Sequence, residues 1–253
     1  MTSRTVIVTG GSKGIGFSIS KSFLQAGWRV LSCARTSSSE LTSLETENPN
    51  IKFHAMDVQK RESHTKAIEE ALSWSGSFDT YVNCAGFSQW KKLEDYDNSF
   101  LDRIFDTNIK GVIWGCQAAA AHLSNGGAIV NISSLAGKRG SAQNGAYCAS
   151  KFAVNGITQS LAKELGPKNI RVNAVCPVYV RTPGVLEALE DDISPAQGQN
   201  VERYLEEFTH QQTALKRLPT GEEVGSSCVF LASNEASAIT GQCINVDCGV
   251  LPQ

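Results

Sequence analysis

Short apolar runs rich in β-branched residues alternate with longer segments of helical periodicity along nearly the whole chain. The expected strands are residues 4–9, 29–34, 52–56, 80–83, 128–133, 170–175 and 243–247. The expected helices are residues 15–26, 61–74, 98–123, 146–165 and 222–232. Strands that are apolar on both faces and alternate with helices indicate a parallel sheet covered on both sides. The sequence therefore predicts an α/β fold, with a doubly wound parallel sheet of about seven strands and helices on both faces.

This alternation continues to the last strand without a Pro/Gly/Ser-rich linker, so we expect residues 1–253 to form a single domain. The segment 178–219 breaks the rhythm because it is polar and acidic. Loops of this length inside a compact domain are usually functional or mobile. We expect the segment to carry one or two short helices and to cover a substrate site.

Composition excludes several partners. The formal net charge of −2 gives no long-range attraction to nucleic acid or to an anionic membrane. No apolar run approaches the roughly 20 residues that a membrane helix needs. The opening MTSRTVIVTGG has no separate apolar stretch followed by a cleavage site. We therefore expect a soluble, cytoplasmic protein with no nucleic-acid and no membrane partner.

The eight cysteines are scattered and form no C-x-x-C pair. Free cysteine behaves as a small buried hydrophobe, so buried free thiols are the expectation. The four histidines show no metal-ligand spacing with the cysteines or with one another. No metal is predicted.

The sequence TGGSKGIG of residues 9–16 follows the first expected strand and opens the first expected helix. Glycines let the backbone approach a pyrophosphate closely, and a helix N-terminus presents N–H groups and a positive dipole to it. The spacing Gly10-x-x-x-Gly14-x-Gly16 differs from the usual G-x-G-x-x-G fingerprint. A turn of this kind also serves simply to join a strand to a helix, so by itself it leaves both interpretations open.

The full set of motifs resembles the short-chain dehydrogenase/reductase family, and the resemblance runs from Thr5 to Gly249. After the T-G-x-x-x-G-x-G loop, the family elements stand in this order: Asp57-Val58, Asn83-Cys84-Ala85-Gly86, Asn108, Ser134, Tyr147-x-x-x-Lys151 and the closing ITGQCINVDCG. The resemblance implies a Rossmann-type fold that binds a nicotinamide dinucleotide. The cofactor-binding residues that it implies are Gly10, Ser12, Lys13, Gly14, Ile15, Gly16, Arg35, Thr36, Asp57, Val58, Asn83, Ala85, Gly86, Tyr147, Lys151, Pro177, Val180 and Thr182.

The end of the second strand indicates which dinucleotide is preferred. NAD-specific enzymes of this fold place an acidic residue there, which bonds the adenosine ribose and would repel a 2′-phosphate. Ala34 occupies that place, and Arg35 follows it with a permanently charged fork suited to phosphate. Lys13 resembles the extra basic residue of NADP-preferring family members. The sequence thus favours NADP(H) over NAD(H). Taken alone, Arg35 or Lys13 is equally consistent with an ordinary charged residue on the surface.

Tyr147 and Lys151 are four residues apart in a helical segment and so lie on one face. A nearby ammonium is expected to lower the pKa of the tyrosine, which makes it a general acid in reduction and a general base in oxidation. Ser134, at a strand end, is expected to hold the substrate carbonyl oxygen. The resemblance further implies that Lys151 bonds the nicotinamide ribose and that Asn108 holds a water that relays protons.

One position departs from the family pattern. After the sixth strand the family has Pro-Gly and then a Thr that bonds the nicotinamide carboxamide, whereas this chain has Pro177, Val178 and Thr182. If the backbone at that position needs a positive φ, valine is strained there. The contacts that the resemblance implies for Val180 and Thr182 with the carboxamide depend on the backbone conformation of Val178.

The substrate-binding residues that the resemblance implies are Gln89, Trp90, Ser134, Gln143 and Tyr179. This mixture of amide and aromatic side chains favours a small polar substrate such as a ketone, sugar or polyol. A 3-oxoacyl-(acyl-carrier-protein) reductase is the alternative within the enzyme class, and a non-enzymatic NADP(H)-binding sensor is the alternative outside it. The resemblance also implies a homotetramer or homodimer.

Overall fold

The computed structural model describes residues 4–123 and 126–252. Within these residues, seven parallel strands form one sheet in the order β3-β2-β1-β4-β5-β6-β7. The strands are β1 (Thr5–Thr9), β2 (Arg29–Ala34), β3 (Ile51–Ala55), β4 (Thr80–Asn83), β5 (Ala128–Ile132), β6 (Arg171–Pro177) and β7 (Cys243–Val246). The predicted doubly wound sheet is confirmed, and each expected strand lies within two residues of an observed one.

Helices connect these strands and cover both faces of the sheet. In the described chain they are α1 (Gly14–Gln25), α2 (Ser39–Glu47), α3 (Arg61–Ser75), α4 (Asn98–Phe105), α5 (Gly111–His122), α6 (Gly145–Leu165), α7 (Pro183–Leu189), α8 (Val201–Gln212) and α9 (Gly221–Ala232). Helix α2 was not among the predicted helices. It begins at Ser38, whose side chain accepts a hydrogen bond from the Leu41 amide, and it buries Leu41.

The strands are apolar on both faces, as the sequence predicts, and they separate two cores. On one face, Ile7, Tyr81 and Ile129 pack together and are 0% exposed. On the other face, the alternate residues Val8 and Val82 belong to a second cluster. Because successive side chains of a strand point to opposite faces, each central strand contributes to both cores.

The strand order reverses between β1 and β4. From β1 the sheet continues through β2 and β3 on one side, and through β4 and the later strands on the other. Loops that leave the carboxyl ends of two such strands diverge, and the crevice between them is where doubly wound sheets bind ligands. The fold therefore places the candidate site at the carboxyl ends of β1 and β4.

The predicted helix 98–123 is wrong in one respect, because it is interrupted. Helix α4 ends at Phe105, and a π-helical turn, Asp106–Lys110, precedes α5. A π turn adds a residue to the helix and shifts the side chains that follow, and such turns are frequent at functional sites. This turn contains Asn108, which is fully buried.

The segment 178–219, which the structure describes throughout, contains α7 and α8, in agreement with the expected short helices. Thr182 caps α7, and Asn200 caps α8. The two helices share an apolar cluster that includes Leu189 and Leu205. In the described residues, none of the helices combines the length and apolar character needed to cross a membrane.

All eight cysteines are free, and five of them are buried. Cys84, Cys243 and Cys248 are only partly buried, so the expectation of buried thiols is correct for most of the set. Burial raises the pKa of the Cys84 and Cys116 thiols to about 12, which leaves them protonated and unreactive at neutral pH.

Candidate active site

The hydroxyl of Thr9 joins the ends of β1 and β4. Its Oγ1 accepts hydrogen bonds from the amides of Cys84 (3.0 Å) and Ala85 (3.2 Å), and it donates to the carbonyl of Val82 (3.3 Å). Gly10 follows with φ of 68°, and a Cβ on it would lie 2.8 Å from the Cα of Ala85. Only glycine allows both this backbone conformation and this close approach.

The glycine loop leads directly into the N-terminus of α1. A Cβ on Gly16 would collide with the carbonyl of Gly10, so the loop can fold back over the first helical turn only with glycine there. Lys13 is the N-cap residue of α1, and its side chain makes no capping bond in the described chain. A Cβ on Gly14 would lie 3.5 Å from the side chain of Thr182, a residue of the segment that follows β6. The cradle that a pyrophosphate requires is therefore present.

The residues expected to determine the preference for NADP(H) lie beside this cradle. Arg35 and Thr36 are exposed just beyond the end of β2, and Lys13 is exposed at the start of α1. Neither cation forms an ion pair with a described residue. Both remain available to an anionic group.

The loop after β3 leaves the same carboxyl edge of the parallel sheet as the glycine loop. Asp57 accepts a hydrogen bond from the Gln59 amide through Oδ1 (3.1 Å), which turns the chain into α3. Val58 packs against Gly111 of α5, with its Cγ2 3.2 Å from the position of an added Cβ. Asn83, by contrast, points into the sheet and donates to Asn131 (2.9 Å), so its side chain does not face the crevice.

Lys151 of α6 is 5% exposed, and its Nζ donates to the carbonyl of Ile132 at the end of β5 (2.9 Å). A Cβ on Gly86 would lie 3.8 Å from Lys151 Nζ and 3.6 Å from Asn108 Oδ1. The fold thus brings together three motif residues that are far apart in sequence. Burial lowers the pKa of Lys151 to about 8.

Tyr147 lies one turn before Lys151, and the lysine Nζ is 5.6 Å from the centroid of its ring. The expected lowering of the tyrosine pKa is not what the structure has. Desolvation raises the pKa of Tyr147 to about 12, and the hydrogen bond with Ser134 opposes this only in part. The reason is that burial penalises the phenolate more than its neighbours stabilise it. Ser134 is nevertheless the described neighbour that favours the Tyr147 phenolate.

Asn108 binds the loop that follows β4. Its Nδ2 donates to the carbonyl of Phe87 (2.8 Å) and to Ser150 Oγ (3.0 Å), and its Oδ1 accepts from the Phe87 amide (2.8 Å). The side chain therefore holds the loop against α6. Ser150, which the sequence analysis missed, lies next to Lys151 and takes part in this clamp.

Tyr96 is another residue that the sequence analysis missed. Its hydroxyl accepts a hydrogen bond from the Ala146 amide (3.0 Å), one residue before Tyr147. The N-cap residue of α6, Asn144, makes no side-chain capping bond in the described chain, so Tyr96 supplies an acceptor to the first turn. A lone tyrosine in a loop carries no sequence signal for this role.

Val178 is not strained. Among the described residues, positive φ values outside glycine occur at Gln143, Asn169, Gln197, Lys216 and Cys248. Val178 extends the pairing of β6 with β7, since its amide donates to the carbonyl of Val246 (3.4 Å). Pro177 and Val180 are buried beside it, and Thr182 uses Oγ1 to accept from the Val185 amide (3.3 Å).

An aromatic group lies where the chain leaves β6 and packs against α8. Tyr179 packs edge-on against Phe208 with centroids 5.0 Å apart, and its hydroxyl lies 3.4 Å from that of Tyr204. An ion pair between Arg181 and Glu202 also connects the β6 loop to α8.

Trp90 is 7% exposed and joins the apolar cluster of α7 and α8. Its indole Nε1 has no hydrogen-bond partner among the described residues. Gln89 and Gln143 are exposed, and the Lys91 amide donates to the carbonyl of Gln143 (2.8 Å), which holds their two loops together. Of the predicted substrate residues, the structure thus associates Trp90 and Tyr179 with the apolar cluster of α7 and α8 and leaves the two glutamines at the surface.

The site has the parts that a nicotinamide dinucleotide needs. A glycine cradle at a helix N-terminus is suited to the phosphates, and buried Lys151 lies at the same edge of the sheet with the partly buried Tyr147 and Ser134. Among the described residues, no three His, Cys, Asp or Glu side chains cluster as metal ligands would. Fold and site define a dinucleotide-binding protein of the doubly wound α/β class.

Comparisons with known proteins agree with this class. A family model described as enoyl-(acyl carrier protein) reductase matches residues 10–251. The chain is 33% identical to a 3-oxoacyl-[acyl-carrier-protein] reductase FabG of Chlamydia muridarum, over 99% of this chain and 98% of that protein. It is 34% identical to an L-2,3-butanediol dehydrogenase of Corynebacterium glutamicum, over 98% of this chain and 99% of that protein.

A solved structure extends the agreement to the fold. It is that of a short-chain dehydrogenase/reductase from Brucella melitensis, described as a glucose/ribitol dehydrogenase, with a TM-score of 0.87 and 31% identity. The match covers 99% of this chain and 97% of that chain. The chain therefore belongs to the short-chain dehydrogenase/reductase family. As a member, it is an oxidoreductase that acts on carbonyl and alcohol groups with a nicotinamide cofactor.

Proposed function

We propose that the protein is an NADPH-preferring oxidoreductase that interconverts a carbonyl and a secondary alcohol on a small polar substrate. The observation that carries the proposal is the convergence of Tyr147, Ser134 and Lys151 at the carboxyl edge of the sheet. The cradle between Gly10 and Gly16 lies at the same edge. These residues have the chemistry of proton transfer and oxyanion binding, and the cradle has that of phosphate binding.

In this mechanism the cofactor supplies or accepts the hydride. Ser134 donates a hydrogen bond to the substrate oxygen and orients the reacting carbon. In reduction, Tyr147 delivers a proton to the same oxygen, and in oxidation it removes that proton. Because burial keeps the tyrosine protonated, it is set up as an acid, and the ammonium of Lys151 favours the phenolate that forms as the proton leaves.

The cover over the site supports a small substrate with several oxygens. Tyr179 and Tyr204 provide hydroxyls on an aromatic surface, and Trp90 provides an unpaired indole N–H. Pockets of this kind orient a ligand through a few polar groups on an apolar wall. Related proteins described as a butanediol dehydrogenase and a glucose/ribitol dehydrogenase act on compounds of this class.

The alternative is reduction of a β-ketoacyl group carried on an acidic carrier protein, as the similarity to a FabG protein suggests. Docking such a carrier requires a basic surface near the site. Residues 178–219, the expected cover, contain seven acidic residues and four basic ones, and the three arginines among these are ion-paired with Glu202, Glu207 and Glu223. Lys138, one of the few candidate basic residues, uses its Nζ to bond the carbonyl of Cys243 (2.7 Å). The charge of the cover therefore favours the small-substrate proposal.

We also infer that the protein forms a homodimer or homotetramer through α5 and α6. Phe152 on α6 is 48% exposed, and Ile113 on α5 is 38% exposed. A second subunit packed on these helices would remove both apolar side chains from water. Light scattering at micromolar concentration should give a mass of two or four times the 27.2 kDa of one chain, and the mass of a monomer would contradict the inference.

The first experiment is a substrate panel followed by nicotinamide absorbance. The panel contains small ketones, sugars, polyols and one β-ketoacyl thioester, each tested with NADPH and with NADH. Turnover of a small polar compound with NADPH is expected. Turnover confined to the thioester would replace the proposal by the carrier-linked alternative.

Replacing Tyr147 by Phe tests the proton-transfer role, since the ring stays and the hydroxyl goes. Turnover should fall by about 10²–10⁴-fold, because a positioned general acid contributes this much. Binding of NADPH, followed by fluorescence, should be retained. A Tyr147→Phe variant with most of its turnover would refute the mechanism.

Arg35→Asp tests the cofactor preference. The aspartate would repel a 2′-phosphate and can bond ribose hydroxyls, so the ratio of kcat/KM for NADPH to that for NADH should fall by about tenfold or more. Lys168→Asp is the matched control, because it makes the same charge change near the amino end of β6, at the opposite edge of the sheet. An unchanged ratio in Arg35→Asp, or an equal fall in both variants, would remove Arg35 from the phosphate site.

A further inference from the structure

His64 of α3 is 0% exposed, and the proposed mechanism does not use it. Its two ring nitrogens are both in hydrogen-bond contact. Nε2 lies 2.9 Å from the carbonyl oxygen of Val58, and Nδ1 lies 2.8 Å from the hydroxyl of Tyr81. A fully buried imidazole with both nitrogens engaged is fixed in position and orientation.

The partners determine which tautomer is present. A carbonyl oxygen can only accept, so Nε2 carries the hydrogen and donates it to Val58. Nδ1 then presents a lone pair, and the Tyr81 hydroxyl donates to it. The neutral ring satisfies both contacts, in agreement with the burial that lowers the pKa of His64.

Tyr81 is a rigid anchor for this ring. It lies in β4 at 0% exposure, and its strand pairs with both β1 and β5. Phe78 packs edge-on against the Tyr81 ring with centroids 6.2 Å apart. The line from Tyr81 through His64 to Val58 therefore ties the loop after β3 to the centre of the sheet.

The tied loop carries Asp57 and Val58, and it lies beside the end of β2 because the Met56 amide donates to the carbonyl of Ala34 (2.9 Å). Arg35, the residue proposed to bind the 2′-phosphate of the adenosine ribose, follows Ala34, so this loop adjoins the adenine half of the proposed cofactor site. From its other side, Gly111 of α5 holds the Val58 side chain, while the backbone carbonyl of Val58 points to His64. The position of this loop relative to β1 and β4 is thus set by a hydrogen bond on one side and by packing on the other. A leucine in place of His64 would fill the space but leave the Val58 carbonyl and the Tyr81 hydroxyl without their partner.

We propose that His64 is a positioning residue that holds the Asp57–Val58 loop in register for the adenine half of the dinucleotide, so that loss of its hydrogen bonds weakens binding of that half alone. This inference rests on the proposed cofactor site. It adds to that proposal a residue that lies behind the crevice and acts through the backbone of Val58. The nicotinamide half, bound near Lys151, should not depend on it.

The test uses two fragments of the cofactor, adenosine 2′,5′-bisphosphate for one half and reduced nicotinamide mononucleotide for the other. Their dissociation constants are measured by calorimetry on the wild type, His64→Leu, His64→Gln and the control His122→Leu. His122 also bonds a backbone carbonyl, that of Ala118 (2.8 Å), but on α5 away from the loop. Thermal unfolding of each variant checks that it is folded.

His64→Leu should bind the bisphosphate about tenfold more weakly and the mononucleotide within about twofold of the wild type, because a buried hydrogen-bond pair is lost only on the adenine side. His64→Gln should regain most of the affinity, since an amide can both donate to Val58 and accept from Tyr81. His122→Leu should match the wild type with both fragments. If His64→Leu does not fold, Tyr81→Phe replaces it, with a loss of about threefold confined to the bisphosphate.

Unchanged binding of the bisphosphate by a folded His64→Leu protein would overturn the inference while leaving the cofactor proposal intact. Equal weakening of both fragments would also overturn it, because the residue would then support the fold in general. A wild-type protein that binds neither fragment would overturn the proposed cofactor site, and the inference with it.

Discussion

The hydroxyl of Thr9 holds together the two strands between which the sheet reverses its order. By accepting from the amides of Cys84 and Ala85, it fixes the backbone after β4 against the start of the glycine loop. Gly10 can then approach Ala85 closely, and the N-terminus of α1 is aimed across the crevice. The positions of Lys151 and Asn108 relative to the cradle follow from this junction, because both lie against Gly86, the next residue of the same loop.

Desolvation dominates the electrostatics at the reacting end of the crevice. It moves the pKa of Tyr147 upward and that of Lys151 downward, which brings both groups closer to their neutral forms. A tyrosine beside a lysine is often described by attraction between their charges, yet here each charge is first opposed by the loss of water. At neutral pH the pair therefore consists of a protonated, neutral tyrosine beside a lysine whose charge is less favoured than in water.

Much of the fold was readable in the sequence because β-branched apolar runs specify buried parallel strands with little help from tertiary structure. The catalytic motif was readable for the same reason, since Tyr147 and Lys151 are neighbours on one helix. The π turn around Asn108 was not, because it depends on hydrogen bonds to Phe87, a residue of another loop. Single residues such as Tyr96 and His64 also escaped detection, since their roles arise from partners distant in sequence. Helix α2 is a different case, because Ser38 and the spacing of Leu41 and Leu44 did carry a signal.

The helices over the site differ from the rest of the molecule in how they are attached. Their apolar cluster is largely their own, and the ion pair between Arg181 and Glu202 that links them to the β6 loop is exposed. Exposed pairs contribute at most about 1 kcal/mol, so this attachment is weak compared with the sheet. Substitutions in this cover can accumulate during evolution without disturbing the strands, the glycine cradle or the catalytic helix. In the proposed function, the part that recognises the substrate is thus separate from the part that performs the chemistry, an arrangement that lets one fold serve many substrates.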